Sequence, residues 1–127
     1  MIVGLGTDVV EVARVEQAIA RFGRRFLERV FTPAEIAYCE SKANAVERFA
    51  ARFAAKEAAL KAIGTGLTRG ISWQDLEVAR QPGGAPTMRY SGRAGEFFAR
   101  LGAARAHVSL THTATVAFAV VILESGS

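Results

Sequence analysis

A chain of 127 residues, half of them hydrophobic, can bury one core without crosslinks and is short for two ordinary domains. A net charge of +4 favours an anionic partner, either a phosphate-bearing ligand or an acidic protein. Nucleic acid is the weakest of the anionic choices, because no binding motif or basic–aromatic ladder occurs. No uncharged apolar run reaches the roughly eighteen residues of a membrane span, and no secretory leader opens the chain. A lone Cys39 has no partner for an internal disulfide and reads as a small buried side chain. The expectation is one cytoplasmic domain over residues 1–127, with no membrane segment.

In chain order, Met1 to Val10 predicts a strand, apolar on both faces and so interior to a sheet. Gly4 and Gly6 weaken a strand unless another backbone or a ligand comes close. Asp8 shares their parity, and an aspartate buried there needs a charge, hydrogen-bond or metal partner. The alternative is that it caps the next helix. Glu11 to Phe22 has Val12, Val15, Ile19 and Phe22 at helical spacing. Beyond the break at Gly23, Phe26, Leu27 and Val30 continue as a further short helix. Arg14, Arg21, Arg24, Arg25 and Arg29 meet only Glu16 and Glu28 nearby. They form either a solvated face or a docking patch for an acidic partner.

Thr32-Pro33-Ala34-Glu35 combines a capping threonine, a first-turn proline and a capping-box glutamate, and starts a structural helix running to about Ser41. A short polar connection leads into the long helix, which begins near Val46 and stops at Gly64. At about 100° per residue, Ala51, Ala54, Ala55, Ala58 and Ala62 share one side, which permits close approach of other backbone. Phe49, Phe53, Leu60 and Ile63 lie opposite, bordered by Arg52 and Lys56 on one flank and Glu57 and Lys61 on the other. That pattern predicts a cleft with apolar walls and an ionic floor. Glu57 and Lys61, four apart, also fit an ordinary surface salt bridge.

Gly64 to Gly70 is a glycine-rich loop without the spacing of a phosphate loop or a dinucleotide fingerprint, yet small residues beside Lys61 and Arg69 leave room for a phosphate. Ile71 to Val78 reads as an imperfect strand, 81–86 as a turn and Thr87 to Ser91 as a short strand. Arg93 to Leu101 predicts a helix with Phe97, Phe98 and Leu101 inward. His107 to Thr111 and Thr115 to Leu123 predict an antiparallel hairpin, with His112 at a strand end and Glu124 to Ser127 as a loose end.

Gly6-Thr7-Asp8, Arg52-Phe53-Ala54-Ala55-Lys56-Glu57-Ala58 with Lys61, Gly64-Thr65-Gly66, Gly84-Ala85-Pro86 with Ser91-Gly92, and Ser109-Leu110-Thr111-His112 occur in that order across essentially the whole chain. Together they resemble the small single-domain 4'-phosphopantetheinyl transferases, the holo-acyl-carrier-protein synthases. The resemblance implies an α+β fold with antiparallel strands packed on a long central helix. It implies transfer of the 4'-phosphopantetheine arm of coenzyme A to a serine of an apo acyl carrier protein, leaving adenosine 3',5'-bisphosphate, with Mg²⁺ as cofactor. On the matching positions, Asp8 and Glu57 stand as metal ligands and, with Lys61, as the catalytic set. Lys61 and His112 stand on the coenzyme A phosphates, Gly64 and Gly66 line the nucleotide, and Arg52 joins the coenzyme-binding group. Arg14, Arg21, Arg24 and Arg25 correspond to the carrier-docking face. The resemblance further implies a homotrimer with sites shared between neighbouring subunits. Thr113 departs from the acidic residue that many relatives carry after the histidine. The rival readings are a coenzyme A-binding or carrier-binding module without catalysis, and an interaction protein in which Glu57–Lys61 is only a salt bridge.

Overall fold

The computed structural model describes residues 1–80 and 82–126. In chain order the elements are β1 (Ile2–Glu11), α1 (Val12–Phe22), α2 (Arg24–Val30), α3 (Pro33–Glu40) and α4 (Ala45–Ile63), then β2 (Leu76–Arg80), β3 (Pro86–Tyr90), α5 (Gly92–Arg100), β4 (Ala103–His112) and β5 (Val116–Ser125). An antiparallel sheet in the order β1-β5-β4 lies against α4, and β2 and β3 form a separate hairpin beside it.

Helix α4 is buried almost all round, as a helix at the centre of a core must be. Its alanine side meets the sheet at close range: Ala51, Ala54, Ala55 and Ala58 are fully buried, as are Ala117, Ala119, Val121 and Leu123 of β5. The glycines of β1 make this contact possible. A Cβ at Gly4 would overlap the Ala62 carbonyl oxygen, and one at Gly6 would overlap that of Ala58 and lie 2.7 Å from the Ala62 nitrogen. Backbone approach, not a ligand, therefore accounts for both glycines. The capping box forms as the sequence predicts, with Thr32 Oγ1 accepting from Glu35 N at 3.3 Å and Thr32 N donating to Glu35 Oε1 at 2.9 Å.

Glu35 then does more than cap. Its carboxylate lies 2.7 Å from the Lys56 ammonium, with both side chains fully buried. The carbonyls of Val30, Trp73 and Leu76 also lie within hydrogen-bond distance of the Lys56 ammonium, so its three protons have four acceptors without water. Burial lowers the Lys56 pKa and the Glu35 charge opposes that shift. The network ties α2, α3 and β2 to the middle of α4.

Several expectations need correction. β1 is an edge strand, with Gly6 and Val10 buried under α4 while Ile2, Leu5 and Val9 are exposed. Its apolar character on both faces is real, but within the chain only one face is covered. Residues 73–75 make a 3-10 turn and not a strand, because Ser72 accepts from Gln74 N and Asp75 accepts from Ser72 N. Phe22 and Leu101 end their helices on the exposed side. The chain stays in β5 through Ser125, whose N–H donates to the Met1 carbonyl, and Glu124 accepts from Arg105. Of the predicted turn and loose end, Gln81 and Ser127 lie outside the described residues.

Candidate active site

β1 and α4 build the site between them. The alternation that seats Gly4 and Gly6 beneath the helix also turns Asp8 toward it, at the register position of Ala119 in β5. Glu57 and Lys61 are one turn apart on α4 and share a face. Lys61 Nζ donates to Asp8 Oδ1 at 3.0 Å, with the Asp8 side chain mostly covered and that of Lys61 55% exposed. Asp8 and Glu57 line one cavity of about 400 Å³, whose walls include Val10, Phe26 and Phe53, with Arg14 at its edge. Burial, and after it the negative charge of Asp8, holds the Glu57 carboxyl above the usual carboxylate range, against the pull of Lys61 and Arg14.

Two carboxylates that repel each other in a half-buried cavity make a donor set suited to a hard divalent cation. Among the described residues no group of three or more His, Cys, Asp or Glu side chains converges to hold a metal, so these two would leave most coordination positions to ligand oxygens and water. The donor set fits Mg²⁺. Gly64 ends α4 at φ 78° and Gly66 follows at φ 63°, with open space where a side chain would stand at either position. Left-handed backbone, not crowding, is the reason for glycine there, and it turns the loop back at the Lys61 end of the helix.

The other candidates lie apart from this cluster. Arg52 is 3% exposed, with its guanidinium 4.3 Å from the Tyr38 ring centroid and its Nε without a hydrogen-bond partner among the described residues. It lines a different cleft, with Glu77 and Arg80, so the ionic floor comprises the Asp8, Glu57 and Lys61 flank and not the Arg52 and Lys56 flank. His112 ends β4, and its Nδ1 lies 3.0 Å from Glu47 Oε1. Glu47 precedes Glu57 by ten residues, which is about 15 Å along the helix axis. Thr113 Oγ1 accepts from the N–H groups of Thr115 and Val116, holding the hairpin turn. On the basic face, Arg24 is spent on Glu28 and Glu40, whereas Arg14, Arg21 and Arg25 carry no ion pair among the described residues.

A family model described as the 4'-phosphopantetheinyl transferase superfamily matches residues 4–120. The chain belongs to this superfamily. It is 63% identical to the holo-[acyl-carrier-protein] synthase of Koribacter versatilis, over 98% of this chain and 99% of that one. Among solved structures it is similar to the holo-[acyl-carrier-protein] synthase of Neisseria meningitidis, with a TM-score of 0.86 and 32% identity, covering 98% of this chain and 100% of that one. The Helicobacter pylori synthase, solved in complex with coenzyme A, gives a TM-score of 0.82 at 33% identity over 94% of this chain and 99% of that one. The sheet on a central helix is the superfamily's fold.

For a phosphopantetheinyl transferase of this size, three features escape a reading of the sequence. Arg14 belongs to the basic face of α1 and lines the cavity of Asp8 and Glu57 at once. Tyr38 gathers Lys42, Arg48, Arg52 and Arg80 around its ring, with no sequence spacing to announce it. Glu47 contacts the candidate histidine, but in sequence it is only an acid in the first turn of a helix, a common position for dipole compensation.

Proposed function

We propose that the chain transfers the 4'-phosphopantetheine arm of coenzyme A to a serine hydroxyl of an apo acyl carrier protein, with Asp8, Glu57 and Lys61 as the catalytic set and Mg²⁺ as cofactor. The serine oxygen bonds to the phosphorus of the pantetheine-side phosphate, the pyrophosphate P–O bond breaks, and adenosine 3',5'-bisphosphate leaves. The observation that carries this reading is the junction of Lys61 with Asp8 at 3.0 Å beside Glu57, at one cavity. Such a displacement needs charge neutralisation and alignment more than a covalent nucleophile.

Asp8 and Glu57 would hold the cation, which when bound neutralises oxygens of the pyrophosphate. Lys61, half in solvent, is free to leave Asp8 for a phosphate oxygen and to counter the charge that develops on the leaving bisphosphate. Glu57 takes the serine proton through a water, since a ligating carboxylate is a poor direct base. Gly64 and Gly66 shape the loop on the nucleotide side. The acidic carrier docks on Arg14, Arg21 and Arg25, with Arg24 contributing least because Glu28 and Glu40 already neutralise it.

Assembly as a homotrimer completes the site. The exposed apolar face of β1 and β5 supplies a contact surface, and a neighbouring copy would bring its own His112 to the phosphate end of the coenzyme A bound at Asp8 and Glu57. Among the described residues no helix is long and apolar enough to cross a membrane, and a reaction between coenzyme A and a carrier protein belongs in the cytoplasm. The test is the mass of an apo carrier protein after incubation with this protein, coenzyme A and Mg²⁺. A gain equal to the phosphopantetheine arm is expected. Coenzyme A binding without any gain across several carriers would favour a binding module instead.

A further inference from the structure

The contact between Glu47 and His112 has no part in the reaction as described above. It joins the first turn of α4 to the last residue of β4, 65 positions apart in sequence, with both side chains about three-quarters covered. A carboxylate only accepts, so the atom 3.0 Å from it, His112 Nδ1, carries a proton. Fixing that proton fixes the ring: the imidazole plane is held by the Nδ1–H bond, and Nε2 is the ring nitrogen turned away from Glu47.

We propose that Glu47 is a positioning residue for the coenzyme: it holds His112 with Nδ1 protonated and Nε2 presented to a phosphate of coenzyme A. This rests on the reading of His112 as a phosphate contact. A phosphate oxygen accepts, so it binds His112 when Nε2 also carries a proton. The role is distinct from helix-dipole compensation by a first-turn acid, which would affect stability and leave the ring alone.

The experiment compares Glu47→Ala, Glu47→Gln and His112→Ala with the unaltered protein, using steady-state kinetics in coenzyme A and ¹⁵N NMR of the histidine ring. Glu47→Ala is expected to raise KM for coenzyme A at least about fivefold with kcat little changed, the size of one lost hydrogen bond. The same change releases the His112 ring to a mixture of tautomers. Glu47→Gln keeps an acceptor at the same place and recovers the single tautomer and most of the KM. An unaltered tautomer in Glu47→Ala, or a KM that stays put while only Tm falls, overturns the proposal. If His112→Ala itself leaves KM unchanged, the phosphate reading of His112 fails and the proposal falls with it. An effect of His112→Ala without one of Glu47→Ala refutes the positioning role alone.

Discussion

Asp8 meets a lysine and a second carboxylate at once, so its replacement separates chemistry from folding. Asp8→Asn keeps the shape and removes the charge. Its bond to Lys61 is partly exposed, and such pairs are worth at most about 1 kcal/mol, so Tm should change little. The rate of carrier modification should fall at least about tenfold, and added Mg²⁺ should recover part of it, because weakened metal binding is the cause. A full rate in this variant would leave Asp8 as a plain salt-bridge partner. Cys39 gives a second expectation at this scale. Burial, opposed first by Arg52, pushes its thiol from 9.0 up to about 11. A group whose acid form the fold prefers contributes stability that is complete below the unfolded pKa and is lost as pH climbs to the folded one. Stability should therefore decline between pH 9.0 and about 11, and Cys39→Ala should flatten that part of a Tm-against-pH curve. The buried phenol of Tyr90 acts in the same direction at higher pH, but it is present in both proteins and cancels from their difference.

Between elements, the decisive contact is β1 against α4, and Gly6 tests it. A methyl group there meets the Ala58 carbonyl oxygen, which belongs to helix backbone and cannot move aside as a side chain would. Gly6→Ala should cost roughly 2 kcal/mol by thermal or denaturant unfolding, despite the higher strand propensity of alanine. An unchanged midpoint would mean that helix and strand are further apart. This contact is legible in the amino-acid pattern alone, since two glycines in a strand and five alanines on one side of a helix each ask for close backbone. The capping box at Thr32 is equally plain, because its residues act within one turn. What periodicity does not reveal is the identity of each helix flank's neighbour. Arg52 and Lys56 border the bulky side just as Glu57 and Lys61 do, yet one flank packs against Tyr38, Glu35 and β2 while the other faces Asp8. Likewise Ser72 and Asp75 sit where alternation favours a strand, and local side-chain capping overrides it.

At the scale of the whole molecule, the sequence asks for a cover on both faces of β1, and the chain supplies only one. Leu5 and Val9 remain 61% and 62% exposed, and Phe118, paired in register with Val9, is 38% exposed. A contiguous apolar face of this kind on a central sheet marks a contact with another protein surface. Homotrimer formation through it would also bring a neighbouring copy's His112, whose partner Glu47 lies about 15 Å along α4 from Glu57, toward the diphosphate proposed at Asp8. Phe118→Glu isolates this step. Within one chain the new carboxylate faces solvent and disturbs nothing buried, so far-UV circular dichroism should be unchanged. In an assembled interface it would be an unpaired charge out of water, costing about 3 kcal/mol or more. The expected outcome is a monomer by light scattering, with carrier modification down at least about tenfold and partly restored as protein concentration rises, because mass action drives assembly. A monomeric unaltered protein with full activity at the same concentration would refute the shared site and require His112 to act within its own chain.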